Sequence, residues 1–152
     1  MKKMIYSTLA IFIVLLVILV VLPIISRKTT ERGMVNGRLR PCPEKPHCVC
    51  SEYQGKAFVE PLYFEEPRQK AWERVKDVLL EAGGRIEVEE KAYLRAVFAT
   101  KILRFQDDVE LRMEAEKNHI HIRSSSRVGY FDFGQNRKRV MKIRAGFTQK
   151  QE

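Results

Sequence analysis

The most apolar part of the chain lies near its beginning. Met4 to Ser26 is a run of 23 residues without a charge, and 19 of them are apolar. About 20 residues of α-helix span the hydrocarbon of a bilayer, so the run predicts a transmembrane helix. It follows Lys2 and Lys3, and no small-residue cleavage motif comes after it. These flanks favour an uncleaved signal-anchor over a removed leader.

Further along the chain the apolar positions change their spacing. Glu66 to Ala82 has apolar residues at 3.6-residue intervals and ends at Gly83-Gly84, which predicts an amphipathic helix. Four segments with alternating apolar and polar residues follow, and each predicts a strand. Their apolar residues are Ile86 and Val88, then Leu94, Ala96 and Phe98, then Val109, Leu111 and Met113, then Ile120 and Ile122. The alternation predicts an antiparallel sheet with one apolar face and one charged face in water.

Two further elements complete the predicted order. Ala57 to Phe64 indicates a short strand, and Pro61 favours an edge position for it. A second helix is predicted to begin near Asp132, a suitable N-cap residue, and to continue through Val140 and Ile143. The sequence therefore predicts an α+β fold in which an N-terminal transmembrane helix precedes a two-layer domain. Its order is β-α-β-β-β-β-α, an antiparallel sheet of about five strands with two helices on one face.

These elements divide the chain into four predicted parts. Residues 1–28 are the signal-anchor, and residues 29–54 are a linker or arm with cysteines and prolines but no periodic apolar pattern. Residues 55–148 are the α+β domain, and residues 149–152 are a polar tail. The part beyond the anchor is long enough for one hydrophobic core and too short for two.

The positive charge is concentrated late in the chain. The whole chain has a net charge of +9, and the segment from Arg123 to Lys150 carries eight basic residues and one acid, Asp132. Such a segment attracts anions: phosphate groups, lipid headgroups or nucleic acid. An anchor in the same chain argues against nucleic acid and favours anions of the membrane or the envelope.

The basic segment contains the candidate binding site. It leaves a strand, turns at Gly129 and enters a helix, whose N-terminal N–H groups attract anions. The predicted anion-binding residues are Arg123, Ser124, Ser126, Arg127, Asp132, Asn136 and Arg137. The alternative is a solvated basic helix that Asp132 caps and whose arginines pair with Glu87, Glu89 or Glu110.

Cysteines and histidines leave several interpretations open. Cys42 and Cys48 form a disulfide in an oxidising compartment, with Cys50 free or competing, whereas all three stay reduced in the cytoplasm. The Cys48-Val49-Cys50 pair, with His47 beside it, is also compatible with metal binding or redox chemistry. His119 and His121 lie on one face of a strand, which is the arrangement of a zinc ligand pair, but no third ligand has suitable spacing. We therefore predict no metal, no cofactor and no catalytic residue.

Several motifs resemble a known family, domain of unknown function 1499. The chain has a Cys-Pro motif at Cys42–Ser51, Tyr-Leu-Arg-Ala-Val-Phe from Tyr93, Asp-Asp-Val-Glu from Asp107, and a long motif at Arg123–Arg139. His47 replaces the family's usual asparagine and Cys50 its usual serine, which leaves the cysteine pairing open. The resemblance implies a small domain behind a membrane anchor or export signal, with no established activity to transfer.

Three functions are compatible with these features. The first is a single-pass envelope protein whose domain binds an anionic small molecule, a lipid headgroup or an envelope partner through the Arg123–Arg139 segment. The second is a hydrolase or transferase acting on a phosphorylated or lipid substrate, with Asp132 as base. The third is a scaffold subunit of a membrane complex. The short basic N-terminus favours an extracytoplasmic domain, although the basic residues after the run favour the opposite orientation.

Overall fold

A computed structural model describes residues 2–28, 32–100 and 104–150 of the chain. Its first element, α1 (Lys2–Lys28), exposes its apolar side chains, and no part of its most apolar window is buried in the protein. The helix is long and apolar enough to cross a membrane.

The domain is built on an antiparallel sheet that has six strands among the described residues. These are β3 (Cys48–Cys50), β4 (Leu62–Tyr63), β5 (Arg85–Glu89), β6 (Tyr93–Ala99), β7 (Gln106–Glu114) and β8 (His119–Ser126). The strand order is β3-β8-β7-β6-β5, and β4 also pairs with β8. A separate two-stranded ladder joins β1 (Met34–Val35) to β2 (Arg38–Leu39).

Two helices, α2 (Arg68–Glu81) and α3 (Gln135–Gln149), cover one face of this sheet. Alternate strand residues face the helices, as in the register pairs Leu111–Ile122 and Met113–Ile120. The helices approach closely because Gly146 has no side chain: a Cβ there would lie 3.2 Å from a methyl carbon of Val78. The predicted α+β class and element order are thus confirmed.

The opposite face is also buried, so the expectation that it lies in water is wrong. Asp108, Glu110 and Arg123 on this face are 3%, 0% and 1% exposed. Residues 32–54, which we call the arm, cover it. Leu39 of the arm packs against Tyr93, and Glu52 accepts a hydrogen bond from Arg112 at 2.6 Å. Alternation shows which residues share a face, but ion pairs allow a charged face to be buried as well.

Two boundaries differ from the sequence prediction. The arm was expected to lack regular structure, yet it contains β1 and β2, and its strand β3 belongs to the main sheet. The last helix begins at Gln135 rather than near Asp132. Phe133 and Gly134 have φ angles of 53° and 75°, outside the right-handed helical region, which delays the helix start.

The helix α1 contacts the domain at one end of the central strands. Ser26 is fully buried, and its hydroxyl oxygen accepts a hydrogen bond from the Gln106 amide at 3.4 Å. Its carbonyl oxygen accepts a hydrogen bond from Arg127, also at 3.4 Å. We call this the anchor end of the sheet, and the end at Glu114 and His119 the distal end. The nine residues of β7 separate the two ends by roughly 30 Å.

Candidate functional site

The residues predicted to bind an anion lie on two faces of the sheet. Arg123 and Arg127 project from β8 and its extension toward the arm, whereas Ser124 and Ser126 face the helices together with Asn136. Consecutive strand residues point to opposite faces, which is the physical reason for this separation. The structure therefore does not bring all seven predicted residues into one group.

Arg123 neutralises a buried carboxylate. Its guanidinium donates to Glu110 at 2.6 Å, and both side chains are almost completely excluded from solvent. Glu110 also accepts hydrogen bonds from the Tyr93 hydroxyl at 2.7 Å and from the Gly33 amide at 2.5 Å. Burial first, then the charge of Glu110, raises the pKa of Tyr93 far above its ordinary value. Arg123 thus has a structural partner.

Arg127 makes a similar pair nearer the anchor end. Its Nε and Nη2 atoms each donate to a different oxygen of Asp108 at 2.7 Å, the bidentate geometry of a strong charge-assisted contact. The third guanidinium nitrogen, Nη1, donates to the side-chain oxygen of Gln106, and a carboxylate oxygen of Glu87 lies 3.7 Å from Nη2. The alternative drawn from the sequence named Glu110, which pairs with Arg123, and Glu87, which lies near Arg127, but it did not name Asp108, the bidentate partner of Arg127.

Ser124, Ser126 and Asn136 do come together, on the face that the helices cover. Asn136 is fully buried, and its amide nitrogen donates to the Ser126 hydroxyl and to the His47 carbonyl oxygen, both at 2.9 Å. Its carbonyl oxygen accepts from Ser124 at 2.6 Å and from Arg139 at 2.7 Å. All the hydrogen-bonding capacity of the amide is used, so this cluster holds β8, α3 and the arm together.

Asp132 and Arg137 flank the start of α3. Asp132 accepts hydrogen bonds from the amides of Gly134 at 2.9 Å and Asn136 at 2.8 Å. Burial opposes ionisation, but these hydrogen bonds outweigh it and lower the pKa of Asp132. Arg137 donates to the carbonyl oxygens of Phe58 and Lys56 at 2.9 Å each. Asp132 therefore occupies two amides that an anion would otherwise bind.

A further opening lies elsewhere, at the distal end of the sheet. It is an open cleft of about 750 Å³, which we call the distal cleft. Its polar lining includes Arg38, Ser51, Gln54, Tyr63, Arg112, Lys117, His119 and His121. Most of these side chains are hydrogen-bond donors, and two acids, Glu60 and Glu114, also line the cleft. Small-molecule sites are usually concave and mostly apolar with a few convergent polar groups; this cleft shares the concave form and the convergent groups, but its lining is mostly polar.

A chain of hydrogen bonds runs through the histidines of the cleft. The Nε2 atoms of His119 and His121 lie 3.1 Å apart, and His121 Nδ1 lies 3.1 Å from the Ser51 hydroxyl. Two neutral imidazole rings share such a contact only when one Nε2 atom donates and the other accepts.

Both histidines are neutral near pH 7. Burial lowers the pKa of His119, and burial lowers the pKa of His121 to about 4. Arg112, which the nearby Glu52 and Glu114 hold in its charged form, adds to this effect on His121. The fixed positive charges of the cleft therefore come from Arg38, Arg112 and Lys117.

The pair of Ser51 and His121 has the geometry of a nucleophile and its base, but two features oppose that role. The Ser51 hydroxyl oxygen already accepts a hydrogen bond from the Ile122 amide at 2.9 Å. A histidine with a pKa of about 4 is also a weak base at neutral pH. The arrangement therefore favours binding over nucleophilic catalysis.

Within the described ranges, no group of three or more His, Cys, Asp or Glu side chains is placed to hold a metal ion. His119 and His121 turn their Nε2 atoms toward the same point, so they are the side chains that come nearest to a ligand pair. Among the three cysteines, Cys42 and Cys48 form a disulfide, and Cys50 is a buried free thiol. Burial raises the pKa of Cys50, which disfavours the reactive thiolate.

Sequence reasoning missed the distal cleft for an identifiable reason. Ser51 and His121 are 70 residues apart in the chain, and their contact depends on the pairing of β3 with β8. The alternation of His119 and His121 was the available signal, because it places both rings on one face. The arm that supplies the opposite wall has no periodic pattern to predict its position.

Comparisons with known proteins give one match. Residues 38–147 match the family described as "Protein of unknown function (DUF1499)". No curated protein and no solved structure matches the chain. The matched range includes the arm from β2 onward, the sheet and both covering helices, and it begins after α1.

Proposed function

The chain belongs to this family of proteins of unknown function, and on that premise we propose that it is a single-pass membrane protein of the cell envelope whose domain binds an anionic ligand in the distal cleft. The convergence of donors around the paired histidines carries this proposal. A carboxylate or phosphate group of the ligand would accept hydrogen bonds from these donors. The positive charges of Arg38, Arg112 and Lys117 would strengthen those hydrogen bonds.

The positively charged side chains of the cleft differ in how strongly neighbouring carboxylates already bind them. Arg112 is tied to Glu52 and Glu114, and Arg38 donates to Glu52 at 2.9 Å. Lys117 is exposed at the turn between β7 and β8. Lys117 is therefore the side chain whose removal tests ligand binding with the least damage to the fold.

The sequence-based alternative is that the anion binds through the Arg123–Arg139 segment. Arg123 and Arg127 neutralise buried carboxylates, so replacing either one alone would strongly destabilise the protein whether or not it binds a ligand. Arg137, which bonds only backbone carbonyls in the described contacts, is the suitable probe of that segment.

A matched pair of variants separates the two sites. We expect full-length protein in detergent micelles to bind glycerol 3-phosphate, measured by calorimetry. Lys117→Gln should weaken that binding by about three- to tenfold, whereas Arg137→Gln should leave it unchanged. The opposite pattern would move the site to the Arg123–Arg139 segment. Absence of binding to glycerol 3-phosphate and to inorganic phosphate at millimolar concentration would contradict the anion proposal.

The disulfide supports an extracytoplasmic domain, because such bonds persist in oxidising compartments. An impermeant thiol reagent applied to intact cells of the host tests the orientation. Cys42 and Cys48 should be labelled only after reduction by an impermeant reductant, without lysis. Labelling that requires lysis would put the domain in the cytoplasm.

A hydrolase or transferase is the second candidate, and the contact between Ser51 and His121 is the observation that favours it. In that case Ser51→Ala should abolish turnover of a phosphate or carboxylate ester while ligand affinity is retained. Loss of affinity and turnover together, or turnover that persists in Ser51→Ala, would leave the binding proposal as the better account.

A further inference from the structure

The connection between β8 and α3 exposes three aromatic side chains. Tyr130, Phe131 and Phe133 are 58%, 63% and 88% exposed. Tyr130 and Phe131 contact each other edge to face, with ring centroids 4.7 Å apart, so these two rings form one apolar surface, and Phe133 is exposed two residues further along. Large aromatic rings that are exposed together mark a surface that contacts a membrane or another molecule. We call residues 128–134 the aromatic loop.

The aromatic loop begins and ends at the anchor end of the sheet. Arg127, immediately before it, donates to the carbonyl oxygen of Ser26 in α1. Two residues after it, Asn136 bonds Ser126. The seven residues of the loop therefore leave from and return to the end of the sheet that α1 contacts.

The position of α1 fixes where the bilayer surface would be. The side chains of Ile24 and Ile25 are each 49% exposed, whereas Ser26 is fully buried against the domain. The apolar part of the helix therefore stops where the domain begins. If α1 crosses a bilayer, the headgroup region lies at the anchor end and at the level of the aromatic loop.

We propose that the aromatic loop docks into the headgroup region of the bilayer that holds α1. This inference rests on the proposed membrane anchor and adds a second, independent contact. Tyrosine and phenylalanine side chains are favoured at this depth, where a ring meets acyl carbon and a hydroxyl meets water. The occupant of the surface is thus the lipid interface itself rather than a protein partner.

Two further observations support a lipid partner. The loop is fixed at its base, because Asp132 accepts hydrogen bonds from Gly134 and Asn136, and the rings are therefore presented rather than folded inward. Two exposed basic residues, Arg104 just before β7 and Lys138 in the first turn of α3, belong to segments that adjoin this end of the sheet. Basic side chains near rings at the interface attract anionic headgroups.

Docking has a consequence for the distal cleft. The cleft is at the other end of β7 and β8, and two contacts with the bilayer hold the sheet more rigidly than α1 alone. The cleft then opens away from the lipid, toward the aqueous compartment and at a fixed distance from the membrane.

Fluorescence quenching by brominated lipids tests this docking with the full-length chain. Phe133→Trp places a tryptophan reporter in the aromatic loop, at a position that is 88% exposed. Tyr63→Trp places a matched reporter at the distal end, at a position that is 60% exposed. Phe12→Trp, at a position that is 61% exposed, reports on α1. Trp72 is buried in the core and gives the same background in every variant. The vesicles contain phosphatidylcholine with a minor share of phosphatidylglycerol.

Lipids brominated near the headgroup should quench Phe133→Trp at least about twofold more than Tyr63→Trp. Equal weak quenching of these two variants, with Phe12→Trp strongly quenched by deeply brominated lipid, would overturn the docking while the anchor remains. No quenching of Phe12→Trp would contradict the anchor itself. Circular dichroism of each variant checks that the domain is folded.

Discussion

The two faces of the sheet are both closed to solvent, but by opposite kinds of side chain. On the helix face Val109, Leu111 and Ile122 are covered by α2 and α3. On the arm face the neighbouring residues Asp108, Glu110 and Arg123 are equally buried and form ion pairs. Apolar burial tolerates imperfect partners, whereas a buried charge requires one specific partner. The arm face is therefore the one in which a single change should cost most.

The sharpest test replaces two adjacent residues of β7. Glu110→Ala leaves Arg123 charged and buried, with an expected loss of about 4 kcal/mol in the free energy of unfolding. Leu111→Ala removes buried methyl groups on the helix face and should cost about 3 kcal/mol. Urea unfolding of the full-length chain in micelles, followed by Trp72 fluorescence, measures both.

A double variant distinguishes the lost partner from lost packing. Glu110→Met combined with Arg123→Met removes both charges and should recover most of the stability that Glu110→Ala loses. A cost below about 1 kcal/mol for Glu110→Ala would mean that water reaches the arm face. The contrast between the two faces would then be wrong.

The helix face could be predicted from sequence because its signal is local. The 3.6-residue spacing of Ala71, Trp72 and Val75 and the alternation along β7 and β8 specify which residues are buried together. The same alternation correctly puts Arg123 on the charged face. It carries no information about what lies over that face.

The arm face and the distal cleft could not be predicted because they depend on distant, non-periodic residues. Glu52 bonds Arg112 from 60 residues away, and Gly33 bonds Glu110 from 77 residues away. The proposed anion site was drawn from one continuous segment, whose residues then divided between the two faces. Binding of an anion by that segment stays a prediction, and Arg137→Gln is the variant that tests it.

The disulfide should stabilise the arm more than the helices. It closes a loop with a sequence separation of 6, and such a loop contributes about 2 kcal/mol. In Cys42→Ala with Cys48→Ala we expect faster hydrogen exchange at the Gly33 and Leu39 amides, which bond Glu110 and Glu52. Exchange in α2 should change less. Equal acceleration in both regions would mean that the arm and the helix side unfold as one unit.

Acid should weaken the arm face before the helix face, because His121 is partly buried in its neutral form. Burial lowers the folded-state pKa of His121 to about 4, below the ordinary value of 6.5. The unfolded chain therefore binds more protons between about pH 6.5 and 4, so stability is complete above that window and falls as pH decreases through it. We expect a loss of between about 1 and 2 kcal/mol after allowance for solvent screening.

Variants of both histidines isolate that effect. His119, whose pKa burial also lowers, contributes in the same direction. Glu52 and Glu114 both have lowered pKa values. At Glu52, burial raises the pKa, but hydrogen bonds, among them one from Arg112, outweigh that effect. At Glu114, the hydrogen bond from Arg112 is the largest cause of the lowered pKa. These carboxylates lose their contribution only at lower pH. In the double variant His119→Gln with His121→Gln, the urea midpoint of unfolding should therefore change less between pH 6.5 and 4.5 than in the unmodified protein. An unchanged pH dependence of that midpoint would contradict this assignment.

The smallest effect is expected at Asp132, a polar residue outside both buried faces. Its carboxylate caps the start of α3 through the Gly134 and Asn136 amides, and Asp132→Ala should cost about 1 kcal/mol. Asp132→Asn retains an oxygen acceptor and should cost less, as judged by the same urea titration. The loss at Glu110 should exceed both, because water replaces the cap but cannot reach Arg123. If Asp132→Ala costs as much as Glu110→Ala, burial of charge is not what distinguishes the arm face.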